Sequence, residues 1–307
     1  MSFTQEVKHE IVGVELDSCC KKAQSAALIQ FCSSMIIRNQ TFQLHIKTEN
    51  AQTAKRIFQL LKERYNPEMQ LVVSKKSNLR KNNIYTLELS SKVNDILEDL
   101  DLLGKDGFNE HPSPKLTKKE CCARAYLAGA FLASGSLNSP QKTNYHLEIV
   151  TSSEAHAEFI KTLMDRFDLN AKRTQRRGHE VTYLKSSEKI SDFLRMCQAN
   201  NAVLDFEDIR IQRDFHNSLT RLDNCEVANE MKTQKAALKQ VEAIEALIQK
   251  GIFENLDPLT QEMAQLRLNH PEASLNELCE AYALKCGIVI SKSGMKHRLA
   301  KLVSYNE

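Results

Sequence analysis

Apolar side chains along this chain recur with two different periods, and the succession of periods predicts alternating helices and strands. From Ser18 to Ser33 and from Asn50 to Tyr65 the spacing is helical, with Ala54, Ile57, Phe58 and Leu61 on one face of the second segment. Between them Phe42–Lys47 alternates in the manner of a half-buried strand. Gln70–Lys75 and Ile84–Leu89 read as two further strands joined by the turn-rich Ser77–Asn83, and a helix from Lys92 to Leu102 closes the unit. The same succession then returns as helix Lys118–Ala133, strand His146–Thr151, helix Glu154–Phe167, strands Ala171–Arg176 and Val181–Lys185, and helix Glu188–Ala199. Gly104–Pro114, which holds two Gly and two Pro, separates the halves.

Side-chain identities repeat along with the pattern. Cys19-Cys20-Lys21-Lys22-Ala23 recurs as Cys121-Cys122-Ala123-Arg124-Ala125, roughly 100 residues later. Phe58 and Leu61 correspond to Ile160 and Leu163, and Ser90–Leu97 is echoed by Ser186–Leu194 with one residue inserted. Two copies of one α/β unit are expected to pack about a pseudo-twofold axis, first helix on first helix. Close approach there calls for small side chains, which Ala26, Ala27, Ser33 and Ser34 supply in one copy and Ala128, Gly129, Ala133 and Gly135 in the other.

Beyond the repeats the pattern is helical throughout. Asp208–Lys250 reads as one or two long helices, broken near Asp223-Asn224. A helix over Leu259–Asn269 stops before Pro271. Ser274 and Glu277 form a capping box opening a helix to about Tyr282, and after Gly287 Ser291 caps a last helix to about Val303. This helix, helix, turn, helix order is that of a helix-turn-helix.

Met295, Leu299 and Leu302 fall on the buried face of the last helix. Ser291, Lys292, Ser293, Lys296, His297, Arg298 and Lys301 fall at its start or on its exposed side, and no acid occurs between Lys285 and Lys301. Recognition helices present such residues to phosphates and base edges. A solvated basic face would show the same pattern. Gly294, in the first turn, suits either a close approach to DNA or a sharp entry into the helix.

Composition narrows the classes. With 42% hydrophobic and 26% charged residues the chain is of ordinary globular type, and its net charge of +3 decides nothing by itself. Its longest apolar runs fall far short of a membrane span, and the Ser2–Glu6 opening lacks the features of a secretory signal, so a cytoplasmic location is expected. Nine cysteines include two vicinal pairs but no CxxC with a partner. They read as reduced thiols packed like small hydrophobes rather than as a metal site. His146, His156, His179 and His216 show no ligand spacing. No phosphate-binding glycine loop occurs, and no cofactor is implied.

Leu127–Gly135 resembles the LAGLIDADG signature of homing endonucleases, in which acids near the end of paired helices hold catalytic metal ions. Leu132 and Ser134 stand at those positions in the second copy, and Phe31 and Ser33 in the first. Cleavage needs carboxylates there, so the resemblance implies a nuclease fold without its chemistry and a protein that is not an enzyme.

More broadly the chain is similar to the WhiA family of bacterial regulators. The similarity runs through Ser2-Phe3-Thr4, both cysteine-pair helices, Arg124–Leu127, Tyr145–Ile149 and Asn224–Asn229, and on to Lys232-Thr233 and Gln240–Ile244. It implies an α+β chain of two pseudo-symmetric αββαββα repeats followed by an all-α helix-turn-helix domain. The expected domains are residues 1–105 and 115–200 for the repeats, 201–250 for a helical linker and 251–307 for the helix-turn-helix. The implied partners are double-stranded DNA and a second transcription regulator or a division protein, with no membrane. Roles in transcription, sporulation, cell division and chromosome segregation all occur in the family, and a nucleoid-associated scaffold with weak DNA affinity is the alternative to a promoter-binding regulator. Endonuclease strands line the major groove, so the hairpin cations Lys75, Lys76, Arg80 and Lys81 in one copy, and Lys172, Arg173, Arg176 and Arg177 in the other, are candidates for weak DNA contact. Charges on solvated turns are the plainer explanation.

Overall fold

A computed structural model of the chain describes residues 2–38, 41–75, 83–104 and 107–305. It divides into two units, Met1–Arg213 and Asp214–Glu307.

The first unit opens on a helix that the periodicity does not predict, α1 (Phe3–Gly13). Only Val7 and Ile11 are buried from it, too few to establish a period; its start is fixed instead by a capping box between Ser2 and Gln5. Next come α2 (Ser18–Cys32), β1 (Ser33–Arg38), β2 (Thr41–Thr48), α3 (Ala51–Arg64), β3 (Met69–Lys75), β4 (Asn83–Leu89) and α4 (Val93–Asp99). A minimal ladder of β5 (Leu103–Gly104) and β6 (Gly107–Phe108) lies in the inter-repeat segment. The second copy is α5 (Glu120–Ser134), β7 (Gly135–Leu137), β8 (Leu147–Thr151), α6 (Glu154–Asp165), β9 (Lys172–Arg176), β10 (His179–Leu184) and α7 (Ser187–Met196). Both copies are αββαββα. Their antiparallel sheets share one order, β1-β2-β4-β3 and β7-β8-β10-β9.

β1 and β7 had no separate signal in the sequence. Each begins at the residue that caps the preceding helix, Ser33 or Gly135, with no turn residues between. Ser33, Ser34 and Gly135 are therefore strand residues rather than helix-contact residues. The expected contact forms along Ala26, Ala27, Ala128 and Gly129, all buried where α2 meets α5. A Cβ built on Gly129 would come within 2.9 Å of both the Ala27 Cβ and the Gln24 carbonyl oxygen, so the helices are as close as a glycine permits.

α8 (Asn200–Gln249) runs unbroken through Asp223-Asn224. It contains neither Gly nor Pro, and Asp or Asn in a helix costs only about 0.7 kcal/mol or less relative to Ala. A break there would give up more hydrogen bonds than it relieves.

In the second unit a 3-10 turn (Phe253–Asn255) leads into α9 (Pro258–Asn269), α10 (Leu275–Cys286) and α11 (Lys292–Ser304). Its core gathers Ile244 and Leu247 from α8, Met263 and Leu266 from α9, Leu278 and Tyr282 from α10, and Met295, Leu299 and Leu302 from α11. Arg267 is buried within this unit. Its Nε donates to Gln240 Oε1 (2.9 Å) and its guanidinium also donates to the His270 and Ala273 carbonyls, which compensates for taking the charge out of water. Among the described residues no helix is long and apolar enough to cross a membrane.

Candidate nucleic-acid interface

α10 and α11 are set by local sequence at every terminus. Ser274 and Glu277 form the expected capping box, the Glu277 N–H reaching Ser274 Oγ at 3.3 Å and the Ser274 N–H reaching Glu277 Oε2 at 2.6 Å. α10 continues a full turn past Tyr282, to Cys286, and stops at Gly287, whose φ of 69° is the left-handed conformation that ends helices. Ser291 then caps α11 by accepting from the Gly294 N–H at 3.2 Å. A Cβ on Gly294 would sit 3.3 Å from Ser291 Oγ and 3.4 Å from Ile290 Cγ2, a snug fit at the helix entry.

With Met295, Leu299 and Leu302 turned into the core, Ser291, Lys292, Ser293, Lys296, His297 and Lys301 are exposed. The Lys301 Nζ lies 5.6 Å from the Tyr305 ring centre. Arg298 is placed differently from its neighbours. It is half-buried, and its guanidinium donates to Asp257 Oδ1 (3.3 Å) and Thr260 Oγ1 (3.4 Å) at the start of α9. Hydrogen bonds from the Thr260 side chain and backbone, with the Arg298 and Lys301 charges adding, hold the Asp257 carboxyl below its ordinary value. Arg298 thus braces α11 against α9, a role that a residue 41 positions from its partner does not reveal in sequence. Sequence reasoning also missed Ile288 and Val289, apolar and exposed in the turn before α11.

The second-copy hairpin brings together fewer free cations than its composition suggested. β9 and β10 are joined by Arg177-Gly178, both at positive φ, as a two-residue hairpin turn requires. Arg173 is held by Glu154 at 3.0 Å, by Glu158 and by Glu180 at 3.6 Å. Arg176 lies 3.7 Å from Glu148, a carboxylate that also meets His146 at 2.9 Å. Lys172 and Arg177 are exposed. In the first copy Lys75 is exposed beside the exposed apolar Leu71, Val72 and Val73, while Lys76, Arg80 and Lys81 lie outside the described residues.

At the ends of α2 and α5, where endonucleases carry acids, this chain is apolar or neutral. Leu132 is fully buried, and Phe31 packs its ring 4.5 Å from that of His156. The hydroxyls of Ser33 and Ser134 are buried without a hydrogen-bond partner. His156 shares a 3.0 Å hydrogen bond with the Tyr126 hydroxyl, and burial, with the nearby His111 adding, pushes its pKa down to about 4.

Three stretches of the chain match family models: residues 18–103 the WhiA N-terminal LAGLIDADG-like domain, 123–216 the WhiA LAGLIDADG-like domain and 219–305 the WhiA C-terminal HTH domain. A relative from Bacillus cytotoxicus, named "Probable cell division protein WhiA", is 45% identical over 303 residues, covering 98% of this chain and 95% of that protein. This chain belongs to the WhiA family. A Staphylococcus aureus relative of the same name is 44% identical over 303 residues, with the same coverage of both chains. The crystal structure of full-length DUF199/WhiA from Thermatoga maritima shares the fold with a TM-score of 0.60, at 21% identity over 99% of this chain and 98% of that one. The WhiA relatives are named for cell division and not for a reaction.

Proposed function

We propose that this WhiA-family protein is a sequence-specific double-stranded-DNA-binding regulator linked to cell division, and that α11 reads the site. The observation that carries this reading is α11 itself. Lys292, Ser293, Lys296 and His297 are exposed at the start of a capped helix that has no acid, and α9 and α10 fix that helix through a buried core. Lys301 extends the basic side toward phosphate, and Arg298 sets the helix angle. Base edges in the major groove are read by side chains of this kind near the start of a recognition helix, with flanking lysines on phosphates. The protein would act at promoters, associated with the nucleoid, in the division, chromosome-segregation or sporulation roles that the family covers, alongside a second regulator or a division protein.

In this reading the endonuclease-like unit does not cut DNA, because Phe31, Ser33, Leu132 and Ser134 offer no carboxylate to hold an ion or orient a water. Its hairpins add at most nonspecific affinity through Lys75, Lys172, Arg176 and Arg177, since Arg173 is engaged by three glutamates.

The test is retention of genomic fragments by the full chain at two salt concentrations with competitor DNA. A few promoter fragments should be retained selectively at the higher salt, and no fragment should be cut with Mg²⁺ or Mn²⁺. Diffuse binding that collapses with salt would instead favour a chromosome-associated scaffold.

A further inference from the structure

The two vicinal cysteine pairs are far apart in sequence, yet the repeat places them together. Cys19 and Cys20 lie in the first turn of α2, and Cys121 and Cys122 in the first turn of α5. Because α2 and α5 pack on each other, the four Sγ atoms fall within 4.8 Å of one another. Within the pairs the sulfurs are 3.9 Å and 4.0 Å apart.

Four sulfurs gathered this closely fit the geometry of one ion and are too far apart for disulfides. Four Zn–S bonds of about 2.3 Å arranged tetrahedrally put the sulfurs about 3.8 Å from each other. A disulfide would need a separation of about 2 Å. The thiolates of an iron–sulfur cluster stand farther apart than this quartet, because the irons lie between them.

The surroundings suit thiolates. Both pairs sit at helix starts, where unpaired N–H groups and the helix dipole favour negative charge. Cavities open on both sides of the quartet. One, of about 610 Å³, is bordered by Cys19, Cys122 and Lys119; the other, of about 450 Å³, is bordered by Cys20 and Cys121.

We propose that Cys19, Cys20, Cys121 and Cys122 form a tetrathiolate site for one thiophilic divalent cation, Zn²⁺ by preference, which clamps the starts of α2 and α5 together. A closed four-thiolate set leaves no position for water, so the role is structural. Each bound ion displaces the protons still on the thiols, so affinity falls as pH falls.

The full-length chain, purified under reducing conditions and stripped with a chelator, would be titrated with Co²⁺. The expected result is saturation at one ion per chain, with the visible bands of tetrahedral cobalt and near-ultraviolet thiolate-to-cobalt charge transfer. Zn²⁺ should bleach both and raise the thermal midpoint of the stripped protein. Cys121→Ser, at an exposed position, should remove about a quarter of the charge-transfer intensity and weaken binding by more than the roughly 10-fold that even an outer-shell partner is worth. Cys225→Ser, exposed on α8, should change nothing. Absence of charge transfer in wild type, octahedral cobalt, loss of free thiols to disulfides without metal uptake, or a Cys121→Ser titration identical to wild type would each overturn the proposal.

Discussion

His156 shows how one buried side chain ties the fold to pH. Burial holds its folded pKa near 4, against about 6.5 for the exposed group, so between these values the unfolded chain binds the extra proton. Its contribution is fully present above about 6.5 and is lost as pH falls toward 4. Denaturant titrations should show stability dropping over that window by up to about 3 kcal/mol from this group, by the linkage relation. His156→Gln, which still offers the Tyr126 hydroxyl a partner, should flatten the slope; an unchanged slope would show that another group sets it.

The same scale separates Lys296 from Arg298, neighbours in sequence with different surroundings. Arg298→Ala removes a partly exposed ion pair and should lower stability by about 1 kcal/mol or less. Lys296→Ala should leave the melting midpoint unchanged while weakening DNA binding. A phosphate contact there would show as a salt slope smaller by about one, and a base contact as about 1–3 kcal/mol lost at one position of the site. Equal loss of stability in both variants would contradict the division of roles.

Among the elements, α2 and α5 matter most to the first unit, and their contact depends on Gly129. Gly129→Ala places a methyl against the Gln24 backbone oxygen, which has no freedom to swing aside, and should cost about 1–3 kcal/mol in equilibrium unfolding. A neutral substitution would mean that the helices separate easily. These two helices were plain in the sequence because small residues, cysteine pairs and helical spacing coincide there. α10 and α11 were equally plain, since Ser274, Glu277, Gly287 and Ser291 act through local backbone hydrogen bonds. α1, β1 and β7 were not legible: the first buries two side chains, and the strands start on the residues that cap helices. Partnerships across long stretches of chain were hidden for a related reason. Arg298 with Asp257, Arg173 with its glutamates, and the cysteine quartet all depend on tertiary packing, which periodicity does not encode.

For the whole molecule, a LAGLIDADG-like α/β unit without acids at the C-terminal ends of α2 and α5 and a helix-turn-helix whose last helix carries no acid occur in one chain. On the proposed function, the second of these selects the DNA sequence. The most direct measurement is competition of a retained promoter fragment against random DNA, run in parallel on three full-length proteins: wild type, Lys292→Ala with Lys296→Ala, and Arg176→Ala with Arg177→Ala. The α11 pair should lose preference for the promoter, whereas the hairpin pair should bind all DNA more weakly with its preference intact. Preference that survives the α11 substitutions and disappears with the hairpin ones would contradict the account and make the endonuclease-like unit the reader.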